Sequence, residues 1–152
     1  MSVDVLTSIV IERPREEVSA FAADPANAPA WYVNIKSVEW KTSPVVQVGS
    51  KATFVAHFLG RRLEYTYEIV EYVPSHCLTM RTAQGPFPMR TAYTWESEGE
   101  ARTKMTLRNS GQPAGFSSLL APIMSIAMHR ANTKDLASLK LLLEGNAAFN
   151  AR

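Results

Sequence analysis

Cysteine is almost missing from this sequence. Cys77 is the only one, which excludes an internal disulfide framework and is compatible with a reducing cytoplasm. An excess of one charge is missing too: 16 basic against 14 acidic side chains leave a formal net charge of +2. The basic residues are scattered, and Arg61-Arg62 and Arg13/Arg15 are too short to form a patch. Nucleic acid is therefore not an expected partner. No apolar run is long enough to span a bilayer, since Phe116–Met128 is interrupted and falls short of the roughly 20 residues required. The opening MSVDVLTSIVIERP lacks the basic start and compact apolar centre of a signal peptide. A cytoplasmic location without a transmembrane segment is the expectation.

Several catalytic and cofactor signatures are absent as well. There is no HxH, HxxxH or CxxC spacing for a metal, and His57, His76 and His129 stand apart along the chain. No G-x-S-x-G elbow or phosphate-binding glycine loop occurs, and GQPAG at 111–115 has the wrong spacing and context for one. Neither a metal nor a cofactor is expected. Repeats, linkers and low-complexity segments are also missing, and 152 residues fit one domain, 1–152.

What is present is alternation. VDVLTSIVIERP is rich in β-branched residues and reads as a strand over about 3–12, ended by Pro14. RPREEVSAFAADP then reads as a short helix, with Val18, Phe21 and Ala22 on one face and Glu16 and Glu17 in the favourable first turn. PANAPAWY allows a second short helix or turn. Six strands follow. IKSVEWKTS is bent or bulged, and SKATFVAHFLG runs to a tight turn at Gly60-Arg61. RRLEYTYEIVEYV sets Leu63, Tyr65, Tyr67 and Ile69 against Arg62, Glu64, Thr66 and Glu68, the pattern of a sheet with one wet face. HCLTMRT, MRTAYTWESE and ARTKMTLRN complete the series. Short connections imply antiparallel neighbours. A long helix ends the chain and is available to cover the inner face.

This order, with SIVIERPREEVSAFAADPANAPAW at the front, VGSKATF opening the third strand, YEIVEYVPSHCLTMRT in the middle, then TKMTLRN and LASLKLLLEG, resembles the START-like or SRPBCC superfamily. That superfamily includes polyketide cyclase/dehydrase-like proteins and birch-pollen-allergen relatives. The resemblance covers nearly the whole chain. It implies an α+β helix-grip fold, in which a curved seven-stranded antiparallel sheet wraps around a long C-terminal helix, with two short helices after the first strand. It also implies an apolar cavity between sheet and helix, open at one end.

Alternation nominates the inner face: Phe54, Phe58, Tyr65, Tyr67, Leu78, Met80, Tyr93, Trp95, Met105 and Leu107, with interior hydroxyls at Thr91 and Thr103. Such a surface is either plain core or the wall of a ligand cavity. Buried Tyr and Trp need partners for their polar tips, and Met adapts to varied shapes. By resemblance Trp31, beside Tyr32, lies near the mouth, as a wall or as a plug. The Gln84–Pro88 loop is either a gate carrying Phe87 or a stiff hairpin connection. On the helix, Ser117 or Ser118 is a candidate N-cap, and Pro122 is either a kink or a first-turn proline. Leu120, Met124, Ala127, Met128 and Ala131 suit a cavity roof, because small and flexible side chains leave room. Leu136, Leu139 and Leu143 form a core stripe, Lys134, Asp135 and Lys140 read as wet, His129 as a surface residue, and Gly145 as the stop.

Candidate ligand contacts are therefore Trp31, Phe54, Phe58, Tyr65, Tyr67, Met80, Phe87, Tyr93, Trp95, Met105, Leu120, Met124, Ala127 and Met128. No catalytic residue is assigned. Tyr65, Tyr67, Tyr93 and Arg81 are the plausible inner donors, and Glu71 faces inward unless a bulge turns it out. Three functions remain open. The first is binding of a small hydrophobic or amphipathic molecule, as carrier or sensor. The second is a metal-independent cyclase, dehydratase or hydrolase working in the same cavity. The third is an interaction or dimerising module, the chain being a monomer or a homodimer. A deep cavity with two or more converging titratable groups favours the enzyme; isolated hydroxyls favour the carrier.

Overall fold

A computed structural model describes residues 3–85, 88–112 and 121–150. β1 (Val3–Ile11) is followed by helix α1 (Arg15–Ala22), a 3₁₀ turn (Pro25–Asn27) and helix α2 (Ala28–Trp31). Six strands come next: β2 (Ile35–Trp40), β3 (Lys51–Phe58), β4 (Arg61–Val73), β5 (Cys77–Gln84), β6 (Met89–Ser97) and β7 (Thr103–Gly111). Helix α3 (Ala121–Asn150) closes the order. The strands form one antiparallel sheet in the order β1-β7-β6-β5-β4-β3-β2, curled into a half-barrel around α3. This is the helix-grip arrangement.

Turn chemistry explains the local breaks. The β3–β4 register pairs Phe58 with Arg61, so the two turn residues are Leu59 and Gly60, one position before the expected Gly60-Arg61. Both have positive φ, 50° and 74°, as a tight two-residue hairpin requires. In β2 the register shifts between Ile35 and Ser37, which supplies the expected bend. In β4 it shifts between Ile69 and Glu71, and Glu71 turns out to solvent.

Core and cavity share the inner face. Ile11, Ile69, Leu78, Trp95, Met105 and Leu107 are buried there, together with Leu136, Leu139 and Leu143 of α3. His57 and His129 are exposed, as alternation and helical phase require. Arg81, an expected inner donor, is also exposed, because the β5 register pairs it with Glu68 and Arg90 on the outer face.

The helix corrects three readings. Ser117 and Ser118 lie outside the described residues. Gly145 does not stop α3, which continues to Asn150. Glycine tolerates helical φ and ψ, and good helix formers surround it, so the cost is only about 1 kcal/mol relative to alanine. A Cβ at Gly145 would meet nothing within 4 Å. Gly145→Ala is therefore expected to raise the unfolding free energy by about 0.5–1 kcal/mol in urea melts, from removal of the glycine entropy penalty. Lys140 is not simply wet: its Nζ donates to the Val10 carbonyl at 2.8 Å and pairs with Glu144 at 2.6 Å, pinning α3 to β1. The third correction, Asp135, belongs to the site.

Candidate functional site

A cavity lies between the inner face of the sheet and the N-terminal half of α3. Its volume is about 130 Å³, several times what one water molecule needs, which leaves room for a ring-bearing molecule.

Each wall follows from a register. On β3, Phe54, Ala56 and Phe58 face inward at every second position; on β4, Leu63, Tyr65 and Tyr67 do the same. Phe54 is the cross-strand partner of Tyr65, and their rings stack with centroids 5.6 Å apart. Tyr67 meets both edge-on, at 5.6 Å from Phe54 and 5.1 Å from Tyr65. Met80 and Thr82 of β5, Met89, Thr91 and Tyr93 of β6, and Asn109 of β7 continue the lining. The roof is α3, where Met124, Met128, Ala131, Asn132 and Asp135 recur at helical spacing on one face. Tyr32, Asn34 and Ile35, just after α2, complete the enclosure.

Of the residues nominated from the sequence, Phe54, Phe58, Tyr65, Tyr67, Met80, Tyr93, Met124 and Met128 line this space. Trp31, Trp95 and Met105 do not. They are almost wholly buried, and they pack as core behind the wall: Trp31 lies against Tyr32, and Trp95 meets Tyr93 edge-on. Ala127 is half-buried off the lining face. Phe87 and Leu120 fall outside the described residues.

The polar members form two groups. The first is a chain of hydrogen bonds. Thr91 Oγ1 donates to Asn109 Oδ1 at 2.6 Å. A hydroxyl has one proton, so the 2.7 Å contact between Tyr67 and Thr91 must have Tyr67 as donor. Asn109 Nδ2 then donates to Asn132 Oδ1 at 3.1 Å. Asn132 Nδ2 ends the chain, buried and without a partner among the described residues. An unpaired buried donor costs about 1–3 kcal/mol.

The second group surrounds Asp135. Asp135 is only 2% exposed, against the expectation that it is wet. Oδ1 accepts the Val33 amide at 2.8 Å, tying the α2–β2 connection to α3. Burial pushes its carboxyl up to about 7, a shift that the Val33 hydrogen bond only partly offsets. Nearby, the hydroxyls of Tyr32 and Tyr93 are 2.5 Å apart. Burial raises Tyr32, Tyr65 and Tyr93 well above the ordinary tyrosine range, and the Asp135 charge adds to this in all three. Burial also pushes Tyr67 up to about 12, with its bond to Thr91 acting the other way. All four phenols are therefore neutral donors at physiological pH, while the single carboxyl among them titrates within that range.

Charge hid Asp135 from sequence reasoning, yet its phase did not: residues 124, 128, 131 and 135 fall on one helical stripe. Asn109 had a comparable signal in its strand register, directly across from Thr91. Tyr32 and Asn34 reach the cavity through the irregular α2–β2 connection, which has no periodicity to read, and Ile35 opens β2 beside its register shift.

Residues 2–144 match the family described as polyketide cyclase / dehydrase and lipid transport. The chain belongs to that family. Its solved neighbours share the fold at low identity. The Zhui aromatase/cyclase from Streptomyces sp. R1128 is 15% identical, with a TM-score of 0.79, over 100% of this chain and 97% of that one. A START superfamily protein from Mycobacterium smegmatis is 10% identical, with a TM-score of 0.79, over 93% and 97%. The ginseng major latex-like protein 151 from Panax ginseng is 14% identical, with a TM-score of 0.68, over 95% and 97%. No curated protein sequence matches the chain. Among the described residues of this family member, no three His, Cys, Asp or Glu side chains group as metal ligands, and no helix is long and apolar enough to cross a membrane.

Proposed function

We propose that this family member binds a small amphipathic, ring-bearing molecule in the cavity between the sheet and α3. The observation that carries this reading is the lining itself. Aromatic rings from β3, β4 and β6 and two methionines from α3 offer apolar contact, while hydroxyl, amide and carboxyl groups gather on part of the same surface. Burying a ligand's apolar surface there is worth roughly 25 cal/mol per Å², and the few polar groups fix its orientation. The family description, which includes lipid transport, and the helix-grip neighbours support the same reading.

One observation favours a second reading, acid–base catalysis of the cyclase or dehydratase type. Asp135 is a buried carboxyl in the cavity wall, near neutral in pKa, with tyrosine donors close by. A group titrating near the working pH is suited to moving protons. The neighbour described as an aromatase/cyclase adds to this reading. Binding is common to both readings; turnover belongs to the second alone.

Native mass spectrometry of the purified protein, followed by organic extraction, tests the common part. A stoichiometric small molecule lost on denaturation is the expected result. An empty protein that also fails to take up a lipophilic naphthalene probe would sink both readings. If the extracted molecule is returned to the protein and altered in the wild type but not in Asp135→Asn, catalysis holds; if it is recovered unchanged from both, the carrier remains.

A further inference from the structure

We infer that the cavity takes a ring-bearing organic cation, an amine whose ammonium group pairs with Asp135 while its rings lie against the aromatic wall. The inference rests on the cavity reading and extends it to the charge of the bound molecule. Its basis is the composition of the lining. Six aromatic residues line the space, Tyr32, Phe54, Phe58, Tyr65, Tyr67 and Tyr93, together with one carboxyl, that of Asp135. Among the described residues, no lysine, arginine or histidine joins them.

Asp135 has no counter-charge. Its one hydrogen bond comes from the neutral Val33 amide to Oδ1, and no cation offsets the effect of its burial. The titratable groups facing it are Tyr32 after α2, Tyr65 of β4 and Tyr93 of β6, all neutral phenols. Helix α2 carries no charged side chain. One turn away on α3, Ala131, Asn132, Ser138 and Leu139 are uncharged, and Lys134 points to solvent. Among the described residues, five buried side-chain atoms are both sealed off and unpartnered, and Asp135 Oδ2 is not one of them. It has no hydrogen-bond partner among those residues, so it is open to the cavity that Asp135 lines.

An unpaired buried carboxylate is costly. The fold already carries that cost in the empty protein, so an entering cation gains the attraction without having to desolvate the acid. Aromatic rings attract a cation as well, most strongly where water is excluded. An anion would add a second negative charge with nothing to balance it. The phenols complete the site. Tyr67 spends its proton on Thr91, and Tyr32 and Tyr93 bond each other. The Tyr65 hydroxyl has no partner among the described residues and is not sealed off, so its oxygen is open to the cavity. A primary ammonium has three donors, enough for Asp135 and for a phenol oxygen.

Three naphthalenes of closely similar shape test this: 2-naphthylmethylamine, 2-naphthylmethanol and 2-naphthoate. Titration calorimetry at pH 8 is expected to rank the amine about tenfold tighter than the alcohol, with the anion weakest. The Asp135 carboxyl, raised to about 7, holds its proton at pH 5.5, whereas the amine stays charged. The advantage over the alcohol is therefore expected to disappear at pH 5.5, and to be absent at pH 8 in Asp135→Asn. An alcohol that binds as tightly as the amine at pH 8 overturns the inference, since the phenols then select a neutral oxygen. Naphthoate binding as tightly as the amine overturns it too, as does an advantage that persists at pH 5.5 or in Asp135→Asn. Each of these leaves the cavity reading standing. Binding of none of the three defeats the cavity reading, and this inference with it. If Asp135→Asn does not fold, the wild-type comparison of pH 8 with pH 5.5 still decides.

Discussion

Replacing Asp135 with Asn is expected to abolish a pH-dependent loss of stability between about pH 4 and pH 7. In the folded protein the carboxyl is raised from 3.8 to about 7. Over that window the native state therefore holds a proton that the unfolded chain has released, and stability falls as pH rises. Above the folded value the whole contribution is lost. At about 1.4 kcal/mol per unit the loss is at most about 4 kcal/mol. The four cavity tyrosines stay neutral throughout, and Asn keeps an oxygen for the Val33 amide, so the substitution isolates the ionisation. Asp4 and Glu144 are both lowered, Asp4 chiefly by its hydrogen bond to Arg108 and Glu144 by the Glu12 amide and Lys140 against the opposing effect of its burial. They act with the opposite sign and are common to both proteins. The quantity to measure is thus the difference in urea-unfolding free energy between wild type and Asp135→Asn, from pH 4 to pH 8. A difference that does not change with pH would refute the buried, cavity-facing carboxyl.

The second large effect separates cavity from core on one helix. Ala131 lines open space on α3, so Ala131→Phe is expected to fill the site. It denies a ligand about 110 Å² of apolar contact, which at roughly 25 cal/mol per Å² lowers affinity about a hundredfold. Stability should change by less than about 1 kcal/mol, because no packed neighbour is displaced. Two turns further along, Leu139 is fully buried among the core residues. Leu139→Ala is expected to cost about 2–5 kcal/mol, through lost transfer energy and the void left behind. Chemical denaturation and probe binding measured on both variants decide the matter. If Ala131→Phe unfolds the protein as severely as Leu139→Ala, the roof is packed core and no ligand space exists beneath it.

These two helix positions show where sequence reading succeeds and where it stops. Leu136, Leu139 and Leu143 are legible as core because an apolar side chain at helical spacing has one low-energy destination. The same holds for the inward register of β4, where Leu63, Tyr65, Tyr67 and Ile69 alternate with charged and polar residues. Seven strands, two short helices, a long covering helix and most of the aromatic wall follow from those periods and from turn chemistry at proline and glycine. Asp135 has the phase of the roof and the chemistry of the surface, and the two signals conflict. Its environment comes from β-strand tyrosines and from the Val33 amide, all distant along the chain, so only the closed fold resolves the conflict.

Trp31, Trp95 and Met105 mark the complementary limit. Alternation tells that the β-strand pair points inward, but not whether the space ahead of a side chain is empty or filled. That depends on the curl of the sheet and on where α3 crosses it. The direction of the Tyr67–Thr91–Asn109–Asn132 chain is likewise invisible in sequence. It draws one residue from each of three strands and the helix, and its polarity exists only once four side chains meet. Local periodicity determined which residues face inward; the tertiary structure alone decided which of them enclose a cavity and where an unpaired donor is left, because both depend on distances between elements far apart in the chain.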